Sequence, residues 1–184
     1  MKHTEWLIRC SKKIKHKFRK NRTPLSQALV YFFLDNDIEW THAFTGTFKY
    51  SKKNKDAVTK ELDRFTNELH SRCRMSKWKR RSKRFPKERL PMVSVVEGDG
   101  DLIHIHCHFL LAKPENIIIS NDSFAKLIVD AWNKVPTTSC LFNDVKPLHN
   151  TLGWADYISK EVTTDDASAI NWQFTHLFRK TTKK

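Results

Sequence analysis

The chain has 184 residues, enough for one domain with a real core, and carries 34 Lys+Arg against 20 Asp+Glu, a formal net charge of +14. No apolar run approaches the roughly 18 residues of a membrane span, and the first residues turn basic at once instead of forming a signal peptide's apolar stretch, so no membrane partner and a cytoplasmic setting are expected. The 4 glycines and the lack of any Gly-Lys-Ser/Thr motif exclude a phosphate loop of the ATPase or helicase kind, while Cys10, Cys73, Cys107 and Cys140 are too scattered for a disulfide framework or a structural zinc site.

One domain over residues 1–184 is expected, with a basic helical extension at 1–38, a core at 42–162 and a tail at 163–184. Residues 4–20 read as a basic helix, and the run 12–22 holds Lys12, Lys13, Lys15, Lys17, Arg19, Lys20 and Arg22. After Pro24, residues 25–34 are apolar enough for a buried helix. Residues 42–50 alternate and carry β-formers, which predicts a strand. Val58, Leu62, Phe65 and Leu69 give residues 54–73 helical periodicity. A basic stretch follows, with Pro86 and Pro91 as breakers.

Met92 to Glu97 predicts a strand, Gly98-Asp99-Gly100-Asp101 a turn, and residues 102–111 a second strand. Residues 122–134 predict a helix capped by Asn121 or Asp122, with Phe124, Leu127, Ile128, Ala131 and Trp132 on its apolar face. A short strand at 141–146 and a helix at 150–162 follow. Trp172, Phe174 and Phe178 predict that the tail docks. From residue 42 the order strand, helix, strand, strand, helix, strand, helix is that of an α+β, ferredoxin-like or RRM-like split βαβ sheet with flanking helices.

The charge is clustered. Residues 72–89 hold Arg72, Arg74, Lys77, Lys79, Arg80, Arg81, Lys83, Arg84, Lys87 and Arg89, opposed only by Glu88. One such run suits a solvated linker as well as a phosphate backbone. Two runs, with Trp78 and Phe85 placed to stack on bases, favour nucleic acid. Lys77, Lys79, Arg80, Arg81, Lys83 and Arg84, with the N-terminal basic helix, are the candidate DNA contacts.

The chemistry lies in His104-Ile105-His106-Cys107-His108. On a strand, alternate residues share a face, so the three imidazoles point one way and Ile105, Cys107 and Phe109 the other. A four-residue turn pairs Glu97 near Leu102, on the histidine face. Imidazoles plus a carboxylate make a mixed N/O site with positions open for substrate. That composition suits Mg²⁺ or Mn²⁺ acting on phosphate, with zinc as an alternative. Tyr157 and Lys160, three apart on a predicted helix with Trp154 one turn earlier, share a face. A tyrosine oxygen there is a candidate nucleophile for a phosphodiester, and the lysine a candidate for stabilising the developing charge.

His106-Cys107-His108, followed by Phe109-Leu110-Leu111, resembles the His-hydrophobic-His signature of the HUH endonucleases, which include rolling-circle replication initiators, relaxases and some transposases. Phe44-Thr45-Gly46-Thr47-Phe48 resembles the initiators' first motif, and Tyr157-Ile158-Ser159-Lys160 their third, in the family order. The resemblance implies site-specific nicking and joining of single-stranded or origin DNA by transesterification, with Tyr157 becoming linked to the 5′ phosphate. It implies His106 and His108 as metal ligands and Glu97 in the acidic ligand position. The pair His104 and His106 also satisfies the short pattern, but Phe109-Leu110-Leu111 after His108 fits the family register better; His104 is otherwise a third ligand, as in relaxases, or none.

A single tyrosine in the third motif, placed after the histidines, is similar to the initiator branch more than to the relaxases. With no helicase module in the chain, a separate helicase and a polymerase are expected partners; oligomeric state is open. Two other classes compete: a non-enzymatic single-strand-binding module, and a metal-dependent nuclease that uses water in place of tyrosine.

Overall fold

The computed structural model describes residues 22–36, 38–49, 55–73, 89–98, 105–115, 117–139, 143–160, 162 and 168–177. The expected basic helix at 4–20, the six candidate DNA contacts between Lys77 and Arg84, His104 and Phe178 lie outside the described residues.

Helix α1 (Pro24–Leu34) starts where Thr23 accepts a hydrogen bond from the Ser26 amide and Pro24 supplies a preset backbone angle without needing its missing donor. Strand β1 (His42–Thr47) follows, then helix α2 (Lys55–Arg72). Strands β2 (Met92–Glu97) and β3 (His106–Leu111) form a hairpin. Helix α3 (Asn121–Asn133) is capped by Ser120, whose oxygen accepts from the Ser123 amide; neither Asn121 nor Asp122 caps it. Strand β4 (Asp144–Pro147) and helix α4 (Thr151–Ile158) complete the core, and a 3₁₀ turn (Trp172–Phe174) lies in the tail.

The four strands form one sheet in the order β2-β3-β1-β4, and every neighbouring pair is antiparallel. Strands β1 and β2 therefore run parallel with β3 between them, an arrangement compatible with a ferredoxin-like sheet. The chain is α+β, with helices on both faces of the sheet. Phe44, Cys107 and Phe109 pack with Val58, Leu62, Phe65 and Leu69 of α2 and Phe124, Ile128 and Trp132 of α3. On the opposite face Val93, Val95 and Leu110 pack with Leu29, Val30 and Phe33 of α1 and Ala155 and Ile158 of α4. Each valine, leucine, isoleucine or phenylalanine among them contributes about 1.5–3 kcal/mol on full burial. These two layers hold β3 from both sides, so its histidines sit on a rigid strand.

Several boundaries differ from expectation. The β2–β3 register sets Glu97 opposite His106, not near Leu102. The shift is an even number of residues, so Glu97 stays on the histidine face. Strand β1 ends at Thr47, with Phe48 continuing only as a bridge to Thr138. Strand β4 is shifted to 144–147. Pro147 is tolerated as its last residue because β4 is an edge strand. Helix α4 stops at Ile158, where the Ser159 amide closes it on the Ala155 and Tyr157 carbonyls.

The tail docks along β2. The Val96 amide donates to Ala169 at 2.7 Å, the Asn171 amide to Ser94 at 2.8 Å and the Met92 amide to His176 at 3.0 Å. Phe174 is buried and Trp172 half exposed. No helix among the described residues is long and apolar enough to cross a membrane.

Candidate metal centre

Glu97, His106 and His108 converge at the end of the β2–β3 hairpin, and their ligand atoms lie within 4.8 Å of one another. Cross-strand pairing sets Glu97 beside His106, and the two-residue period sets His108 on the same face. Glu97 Oε2 lies 3.3 Å from His106 Nε2, 3.3 Å from His108 Nε2 and 2.7 Å from Lys160 Nζ. Glu97 and His108 are buried, while His106 stays partly open to solvent.

Burial alone would raise the Glu97 carboxyl, but the closeness of His106, His108 and Lys160 outweighs it and holds the group well below the usual carboxylate range. Burial works to lower the Lys160 ammonium, but its bonds to Glu97 and Tyr157 raise it overall. The site thus presents a carboxylate and a cationic lysine at neutral pH.

The donor set fits a divalent cation. Glu97 Oε1 and His108 Nε2 are buried with no hydrogen bond of sound geometry, a costly condition that a cation between them relieves. Ligand atoms at roughly 2.0–2.3 Å from one ion must themselves lie within about 4–5 Å of one another, as these do. Thr45, directly opposite His108 on β1, places its Oγ1 2.9 Å from His108 Nδ1. Cys107 points to the opposite face, where burial pushes its thiol far up, so it is no part of the ligand set.

Helix α4 lays its aromatic side chains against His108. The rings of His108 and Tyr157 are 5.2 Å apart, edge to face, and those of His108 and Trp154 5.7 Å. Trp154 stacks on Tyr157 with centroids 5.2 Å apart and 26° between planes, and its indole N–H donates to the Phe109 carbonyl at 3.3 Å. Lys160 lies just past the helix end, yet its Nζ sits 4.2 Å from the centre of the Tyr157 ring.

The structure thus brings together Glu97, His106, His108, Tyr157 and Lys160, all singled out in the sequence. It adds Thr45, a motif residue with no role assigned from sequence, and Asp156, the residue before Tyr157, which holds Arg22 in a buried pair. The signal for Thr45 was its register opposite His108. Arg22 and Asp156 carry no local signal of each other. No protein-family model, curated protein or solved structure matches the chain.

Proposed function

We propose that the chain is a metal-dependent endonuclease of the HUH type, nicking and joining single-stranded DNA through Tyr157. The observation that carries this reading is the seating of Tyr157 against His108, with Lys160 joining Tyr157 to the carboxylate that faces both histidines. The split βαβ strand order, with the histidines on the central strand β3, supports the same family.

His106, His108 and Glu97 hold the cation, Mg²⁺ or Mn²⁺. When bound it supplies Lewis-acid polarisation of a non-bridging phosphate oxygen. Tyr157 Oη attacks phosphorus; an O–P bond forms to tyrosine as the bond to the 3′ oxygen breaks. The phenolic proton is lost to solvent, and the departing 3′ oxygen takes up a proton to become a hydroxyl. One phosphodiester is exchanged for another, so attack by a 3′ hydroxyl on the phosphotyrosine rejoins the strand. Lys160 stabilises the negative charge that builds between Tyr157 and phosphate. Such a nickase serves as the replication initiator of a plasmid, phage or other mobile element, with helicase and polymerase supplied separately.

His106→Ala and His108→Ala test the metal role. Each is expected to lose Mn²⁺ binding in calorimetry and Mn²⁺-dependent nicking together. Nicking that survives both substitutions with its metal dependence intact would place the metal elsewhere.

A further inference from the structure

Arg22 closes the charged run that begins at Lys12, yet its side chain is only 6% exposed. Its Nε donates to Asp156 Oδ1 at 3.0 Å, and the Asp156 side chain is 5% exposed. Its Nη2 donates to the backbone carbonyl of Asp156. Beside it, the Thr23 hydroxyl donates to the Val162 carbonyl at 3.3 Å, and Gln27 Nε2 holds the Arg22 carbonyl at 3.2 Å. The entry to α1 is therefore fastened to the exit of α4.

Helix α4 has 8 residues, too few to persist without tertiary support. In its last turn the Asp156 carbonyl accepts from the Ser159 hydroxyl at 3.2 Å as well as from Arg22, and the Asp156 carboxylate opposes the helix dipole. Arg22 offsets that carboxylate and adds a bond to the carbonyl of the same residue with one planar guanidinium. Tyr157 is the next residue, and Lys160 follows within one turn.

We infer that Arg22 is a positioning residue for Tyr157, capping the end of α4 so that the tyrosine and Lys160 stay aligned with His108. This inference rests on the reading of Tyr157 as the nucleophile. It also removes Arg22 from the basic surface that would meet phosphate.

Arg22→Lys tests it, because lysine keeps the charge but cannot span both the carboxylate and the carbonyl. Single-turnover adduct formation with saturating single-stranded oligonucleotide and Mn²⁺ should slow by about ten- to a hundredfold, while the half-saturating DNA concentration stays unchanged. Should that variant fold poorly, the double substitution Arg22→Met, Asp156→Leu removes both buried charges and should show the same slow step. An undiminished rate in the folded variant, or a loss confined to DNA affinity, overturns the inference. Backbone amide exchange at 157–160 gives a readout that needs no DNA chemistry. It should quicken in Arg22→Lys while α2 and α3 stay protected. If the unaltered protein forms no adduct at all, the nuclease reading fails, and unchanged exchange then also refutes the cap.

Discussion

Thr45 and His108 are direct cross-strand partners, and the Thr45 hydroxyl oxygen lies 2.9 Å from His108 Nδ1. With the proton on Nδ1 donated to Thr45, Nε2 keeps its lone pair and faces Glu97, the form that a metal ligand requires. Thr45→Val keeps the shape of the side chain and deletes this bond. The expected result is Mn²⁺ affinity about ten- to a hundredfold weaker by calorimetry, with the fold retained. Affinity equal to that of the unaltered protein would show that Thr45 does not orient the ring.

Gly46 sits where β1 passes under Trp132. A Cβ at this position would lie 2.6 Å from two carbons of the buried indole, whose N–H is bonded to the Thr47 carbonyl at 3.2 Å. Gly46→Ala should therefore cost about 1–3 kcal/mol, read as a lower urea midpoint. An unmoved midpoint would mean that the indole yields freely.

Much of this frame was legible in the sequence because it is local. Alternation marked β1, a 3.6-residue period marked α2 and α3, and the even spacing of the histidines fixed their shared face. The hairpin register differs from expectation because Gly98 to Asp101 reads as a tight turn, whereas Glu97 pairs with His106. The cap by Arg22 joins residues 134 positions apart, and nothing near either residue announces it. Thr45 acquired its role only through β1–β3 pairing. Residues that act through tertiary contact are silent in a linear reading, whereas those that repeat along an element are not.

His70 is a second such residue, and it predicts acid lability. Its Nδ1 lies 2.6 Å from the Thr66 carbonyl and its Nε2 accepts from the Leu90 amide at 2.9 Å, so the neutral ring is used at both nitrogens. Burial lowers its pKa to about 4, opposed by the Thr66 carbonyl and aided by Arg89. Buried His176 is likewise lowered to about 4, by burial and by Arg89 and His70 beside it. The unfolded state binds protons first, so this stability is full above pH about 6.5 and falls away as pH drops toward 4. Each histidine accounts for up to about 3 kcal/mol. Urea unfolding at a series of pH values checks this, and His70→Gln should flatten part of the decline. A profile level from pH 7 to 4 would refute it.

The basic segment predicts salt dependence. Replacing Lys77, Lys79, Arg80, Arg81, Lys83 and Arg84 with glutamine should weaken single-strand binding and flatten its log–log salt slope by as much as about 4. Fluorescence anisotropy across a salt series measures it. An unchanged slope would assign the phosphate contacts to other residues.

The central claim is that Tyr157 is the nucleophile. The most direct test incubates the protein with a 3′-labelled single-stranded DNA library and Mn²⁺, followed by denaturing electrophoresis and peptide mapping. The account predicts a label covalently bound at Tyr157, a defined cleavage sequence, and no adduct from Tyr157→Phe despite unchanged DNA binding. Cleavage without any adduct, and undiminished in Tyr157→Phe, would contradict it and assign the attack to water.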